Sequence, residues 1–110
     1  MPLPPRVTVI SADERCPRLP IVTGPGEAYA VVWPGMGAEM RSMHRISLKS
    51  GGATIPLRHP MEAVYAVIGG AGTVRDPDTG ATEPLADGSM FHVEPGTAYV
   101  VAAGAEGLEL

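Results

Sequence analysis

Few side chains in this sequence can do chemistry. There are three histidines, His44, His59 and His92, and a single cysteine, Cys16. A neutral imidazole can act as a base near pH 7 or bind a transition metal. A mononuclear metal site needs about three protein ligands, for example two histidines and a carboxylate. Cys16 has no partner for an internal disulfide. Arg15 and Arg18 beside it favour a thiolate. Its setting in a Pro-, Gly- and charge-rich stretch instead points to a surface or half-buried loop thiol.

The elements that position these residues follow from composition and periodicity. The 110 residues correspond to one domain, spanning 1–110, and 45% of them are hydrophobic, enough for one core. Only 18% are charged, so the chain does not read as a solvated tail. Fourteen glycines and twelve prolines argue against long helices and for many turns. A net charge of −4 with no Lys/Arg cluster excludes a nucleic-acid backbone as the expected partner. No apolar run approaches the roughly 18 residues of a membrane helix. The first residues lack the pattern of a signal peptide, and the lone cysteine suits a reducing compartment, so a cytoplasmic location is expected.

Apolar residues recur with period two, which predicts strands rather than helices. The expected strands are Arg6–Ile10, Glu27–Trp33, Arg41–Leu48, Ala53–His59, Ala63–Ile68, Gly72–Arg75, Glu83–Leu85, Met90–Val93, Ala98–Ala102 and Gly107–Leu110. Asp76–Gly80 reads as a hairpin turn. His44 alternates with Ile46 and Leu48, so it faces the interior. Ala63, Tyr65 and Val67 share one face, which puts Glu62 on the other as an outward charge. The face of His92 is left open by its neighbours Met90 and Phe91. Met36, Met40, Met43, Met61 and Met90 are flexible side chains able to fill an interior. Short strands with regular turn signals predict an all-β sandwich or barrel.

From Gly51 to Tyr99 the sequence resembles the cupin superfamily. The stretch SGGATIPLRHPMEAVYAVIGGAGTV (motif about 51–72) is similar to the family's first motif: a Gly, a His-x-His pair, a Glu and a Gly. LADGSMFHVEPGTAYVV (motif about 85–99) is similar to the second: a Gly, a Pro-Gly turn and a His. The resemblance implies a double-stranded β-helix, the RmlC-like jelly-roll barrel, with a small-molecule pocket inside and often a dimer. In metal-binding members the two His and the Glu of the first motif and the His of the second hold a divalent ion. Carried over one by one, His59 matches the second His, whereas Leu57, Ala63 and Tyr99 stand at the other three positions. An alternative register using Glu62 would put Arg58 and Pro56 at the His positions, which is worse. Arg58 alternates away from His59 and is expected to be an exposed partner for an acidic side chain.

The expected site therefore centres on His59, with His44, Leu57, Ala63, Tyr65 and Tyr99 around it. The usual four-ligand metal centre is not expected. Any divalent transition metal would rest on His59, His44 and one further group. The favoured reading is a barrel that binds a small molecule. One alternative is a metal-free isomerase or epimerase-like enzyme with His59 as base and Tyr99 as acid, by similarity to metal-free members of the family. A second is a dioxygenase or isomerase with rearranged ligands, and a third is a barrel whose interior is simply filled. Sheet edges and the Tyr29, Val31 and Trp33 face suggest a homodimer.

Overall fold

A computed structural model describes residues 10–33 and 43–110. Residues 6–9 of the expected first strand, and Met36, Met40, Arg41 and Ser42, lie outside the described residues. The described chain holds nine strands and no helix: β1 (Val22–Thr23), β2 (Gly26–Val32), β3 (Met43–Leu48), β4 (Ala53–Thr54), β5 (Ala63–Ala66), β6 (Gly69–Arg75), β7 (Thr82–Ala86), β8 (Met90–Val93) and β9 (Val100–Glu109). All the pairings are antiparallel. A seven-stranded sheet contains the order β1-β4-β9-β3-β2, with β6 joining β9 to β7. β5 and β8 form a second, two-stranded sheet.

The two sheets bury their facing sides against each other. From the large sheet come Ala28, Ile46, Leu48, Leu85, Val101 and Leu108, and from the small one Val93, with Val67 just beyond β5. Ile46, Leu48, Leu108 and Val101 are almost completely buried. Each such side chain contributes about 1.5–3 kcal/mol on leaving water. The period-two reading holds for β5: Ala63 and Tyr65 are half-buried and Val67 is buried, while Glu62, Val64, Ala66 and Ile68 are exposed.

Four expectations change. Ala98–Ala102 and Gly107–Leu110 are not separate strands but belong to the one long β9, which runs from Val100 to Glu109. Its ladder with β6 matches Ala103 to Gly72 and Leu108 to Gly70, so residues 104–107 bulge out opposite Ala71 alone. Gly69 and Gly70, outside the expected strands Ala63–Ile68 and Gly72–Arg75, begin β6. Gly70 has φ of +77°, and a Cβ there would lie 2.1 Å from the Gly107 carbonyl oxygen. Only glycine allows that approach.

Second, Ala53–His59 pairs as a strand only at Ala53–Thr54, followed by a single bridge from Leu57 to Tyr99. Pro56 and Pro60 have no N–H to extend a ladder. Third, Met43, Met61 and Met90 are 66%, 73% and 71% exposed and fill no interior gap. Fourth, Tyr29 is buried within the chain itself. The segment before β1 lies along the edge of β2, with Leu19 N–H donating to the Ala28 carbonyl and Ala30 N–H to the Pro17 carbonyl. The Arg18 guanidinium sits 5.8 Å from the Tyr29 ring centroid. Val31 and Trp33 are half-buried.

Candidate functional site

The turn after β8 places Tyr99. Gly96 N–H donates to the His59 carbonyl, and Leu57 and Tyr99 exchange both backbone hydrogen bonds, at 2.8 and 2.9 Å. This bridge carries the two segments of chain side by side, so that the His59 and Tyr99 side chains converge. The Tyr99 hydroxyl lies 2.6 Å from His59 Nε2 and 2.6 Å from the Tyr65 hydroxyl. Tyr65 arrives from the inner face of β5, and its ring stacks on Phe91 of the neighbouring β8 at 4.7 Å between centroids. Sequence and fold thus build one chain of three groups: His59, Tyr99 and Tyr65.

Its direction depends on one proton. With the His59 proton on Nδ1, Tyr99 donates to Nε2 and accepts from Tyr65. With a proton on Nε2, His59 donates to Tyr99, Tyr99 to Tyr65, and the Tyr65 hydroxyl is free to donate onward. Burial, reinforced by the hydrogen bond with Tyr65 and by its charge, pushes the Tyr99 phenol far above its ordinary range. Burial also raises Tyr65, opposed by its hydrogen bond with Tyr99. Both phenols therefore stay protonated at neutral pH and pass a proton only by exchanging one for another.

The other expected site residues are distributed around this chain. Leu57 is buried behind it, and Ala63 is half-buried on the inner face of β5. His44 shares the inner face of β3 with Ile46 and Leu48 but stands exposed at its open end, unlike those two. Among the described residues it makes no hydrogen bond to His59, Tyr65 or Tyr99. Desolvation lowers its pKa, and the charge of His59 lowers it further. His92 projects outward, where its Nε2 meets the Glu62 carboxylate at 2.9 Å. Both are exposed, so Glu62 is the outward charge that strand parity predicts. Arg58 also points out, 3.6 Å from Asp78. Cys16 is buried in its loop, not at the surface, and its thiol donates to the Ser11 carbonyl.

A cavity of about 750 Å³ opens between the β6–β7 hairpin and β8. It meets the hydrogen-bonded chain at Tyr99, and Phe91 of its wall is the ring stacked on Tyr65. His44, Leu57, His59, Ala63 and Tyr65 are not in its lining, so of the expected site residues only Tyr99 reaches it. Its volume lies within the roughly 300–1,000 Å³ usual for small-molecule sites. Phe91 and Glu83 are wall residues that the motifs do not mark. The parity of Glu83 with Leu85 and of Phe91 with Val93 is the signal that places them there.

No protein-family model matches this chain, and no curated protein matches it. Solved structures do. A cupin-like protein of Thermotoga maritima MSB8 superposes with a TM-score of 0.72 at 18% identity, over 81% of this chain and 67% of that one. A predicted oxalate decarboxylase of Thermotoga maritima gives 0.73 at 21% identity, over 93% of each chain. The polyketide cyclase RemF of Streptomyces resistomycificus gives 0.68 at 15% identity, over 99% of this chain and 74% of that one. The chain has the cupin fold.

That fold implies a metal centre in its metal-binding members, and the residues here do not fit one. Of the four donor positions only His59 carries a ligand type. Leu57 and Ala63 have no donor atoms, and Tyr99 is a phenol held protonated by burial and by Tyr65. The Nε2 atom of His59 is already engaged by Tyr99. Among the described residues there is no group of three or more His, Cys, Asp or Glu side chains placed to hold an ion. No helix among them is long and apolar enough to cross a membrane.

Proposed function

We propose that this cupin binds a small organic molecule in the cavity between the β6–β7 hairpin and β8, walled by Tyr99 and Phe91, without a four-ligand metal centre. The hydrogen-bonded chain His59–Tyr99–Tyr65 carries this reading. Its groups hold and orient protons, and at Tyr99 it borders a cavity of suitable size. The same chain favours a second reading, acid–base turnover of the bound molecule. Tyr99, the member of the chain that lines the cavity, would exchange a proton with the bound molecule, and His59 behind it would take up or return the balancing proton through Nε2. A fragment screen by heteronuclear NMR tests the first. Hits should shift cavity amides in the wild type and weaken more in His59→Ala than in Glu62→Ala. Equal loss in both, or loss only in Glu62→Ala, would place the site elsewhere.

The same proposal has the protein acting as a homodimer in a reducing, cytoplasmic setting. Supporting the dimer, the outer face of the β5–β8 sheet and its flanks leaves Val64, Ile68, Met61 and Met90 between 55% and 73% exposed. Apolar surface of that kind is usually covered by a partner. Sedimentation equilibrium should give twice the 11.4 kDa chain mass. A single species at the chain mass at high concentration would remove this part of the proposal.

A further inference from the structure

The cavity has a charge pattern of its own. Its inner surface is apolar, formed by Val74, Leu85, Phe91, Val93 and the Tyr99 ring. Glu83 lies two residues before Leu85 on the same face of β7, opposite Val74 in the ladder, so its side chain projects from the inner face at the mouth. Glu94 follows Val93 at the rim. Among the described residues neither carboxylate has an ion-pair or side-chain hydrogen-bond partner; those found elsewhere join other groups.

The remaining polar groups of the lining are placed or occupied otherwise. The Asp76 carboxylate accepts from the Asp78 and Thr79 amides of its own turn. His92 faces Glu62 on the outside. Arg75 alternates with Val74, so it projects from the opposite face of β6. Ser89 Oγ accepts from the Ala86 amide, and the Tyr99 oxygen already has two partners. The Thr97 hydroxyl is also in the lining but carries no charge, so the charged groups the mouth offers an incoming molecule are carboxylates, above aromatic and aliphatic walls.

We infer that the cavity takes an organic cation: a primary or secondary amine on a small apolar or aromatic body, with its ammonium at Glu83. This rests on the small-molecule reading above and names the class of molecule for that site. An ammonium N–H donating to a carboxylate is a charge-assisted hydrogen bond, stronger than a neutral one. The Phe91 and Tyr99 rings in the lining suit the apolar or aromatic body of such a molecule. A carboxylate ligand would meet like charge at the mouth, and a neutral alcohol would leave the stronger interaction unmade.

Three probes of similar shape test this on the full chain: phenethylamine, 3-phenylpropanol and 3-phenylpropanoate, each titrated by heteronuclear NMR near pH 7. Phenethylamine should shift the amides of Val74, Leu85, Phe91 and Val93 and bind about tenfold tighter than the alcohol. Glu83→Gln should remove that preference while leaving the alcohol unchanged, and Glu94→Gln should cost less. Glu83 is exposed, and the spectrum of the variant itself reports that it is folded. Equal or tighter binding of the carboxylate, or a preference that survives Glu83→Gln, overturns the cation assignment and leaves the small-molecule reading standing. If none of the three shifts cavity amides while other fragments do, the inference again fails alone. If no molecule of any class does, both fall.

Discussion

Replacing Tyr99 by phenylalanine isolates the hydroxyl that joins His59 to Tyr65. The ring stays, so packing against the Leu57 segment and the core is kept. Two hydrogen bonds of 2.6 Å are lost. Each contributes about 1 kcal/mol net, and a buried partner left unsatisfied costs about 1–3 kcal/mol. His59 is half-exposed, so water can replace the lost partner at Nε2 and the penalty there is small. Tyr65 is also half-buried and recovers part of its loss in the same way. The expected destabilisation is about 1–2 kcal/mol, or roughly 4–8 °C in Tm for a domain of this size. Urea denaturation followed by far-UV circular dichroism reads it directly. Tyr65→Phe and the double variant complete a cycle whose coupling should be about 1 kcal/mol. A Tyr99→Phe protein within about 0.3 kcal/mol of wild type, and additive with Tyr65→Phe, would show that the three groups do not form a connected chain.

The remaining predictions use the same geometry. The raised pKa values of Tyr65 and Tyr99 contribute stability that is full below the ordinary tyrosine range of about 10 and lost as pH rises above it, so alkaline unfolding should shift to higher pH in Tyr65→Phe. His44 has the opposite sign: its lowered pKa contributes stability present above about 6.5 and lost as pH falls, so His44→Gln should flatten the acid side of a Tm–pH profile, and an unchanged profile would contradict its placement. Gly70→Ala should cost at least about 2 kcal/mol by urea denaturation, because its φ is +77° and the new methyl meets the Gly107 carbonyl; a neutral outcome would mean the β6–β9 crossing is looser than described. Saturating chelator should leave Tm unchanged to within about a degree, since the donor set at His59 is incomplete; a large drop measured by scanning calorimetry would mean an ion contributes to folding.

What could be read from the sequence was the information that strand parity and motif spacing carry. One buried face fixes a period of two, so Ala63, Tyr65 and Val67 inside and Glu62 outside followed from alternation alone. The motif spacing brought Leu57, His59 and Tyr99 together because it encodes a backbone bridge and a turn, and those are present. What could not be read depends on pairing across distance. Tyr65 and Tyr99 are 34 residues apart, and although both were expected near His59, nothing local says that β5 and the segment before β9 will bring their hydroxyls into one hydrogen bond. Gly69 and Gly70 looked like a stop and Gly107 like the start of a separate strand, whereas two chain segments cross there at a distance only glycine allows. The methionines looked like filler because composition cannot say which face of a strand they occupy. The outcome at His59 is the sharpest case. A motif transmits the place of a side chain relative to the backbone, and that place survives when its neighbours change. Chemistry does not travel with place alone: with Leu57, Ala63 and Tyr99 at the other three positions of the motif, the His59 imidazole stands at the end of a hydrogen-bonded chain.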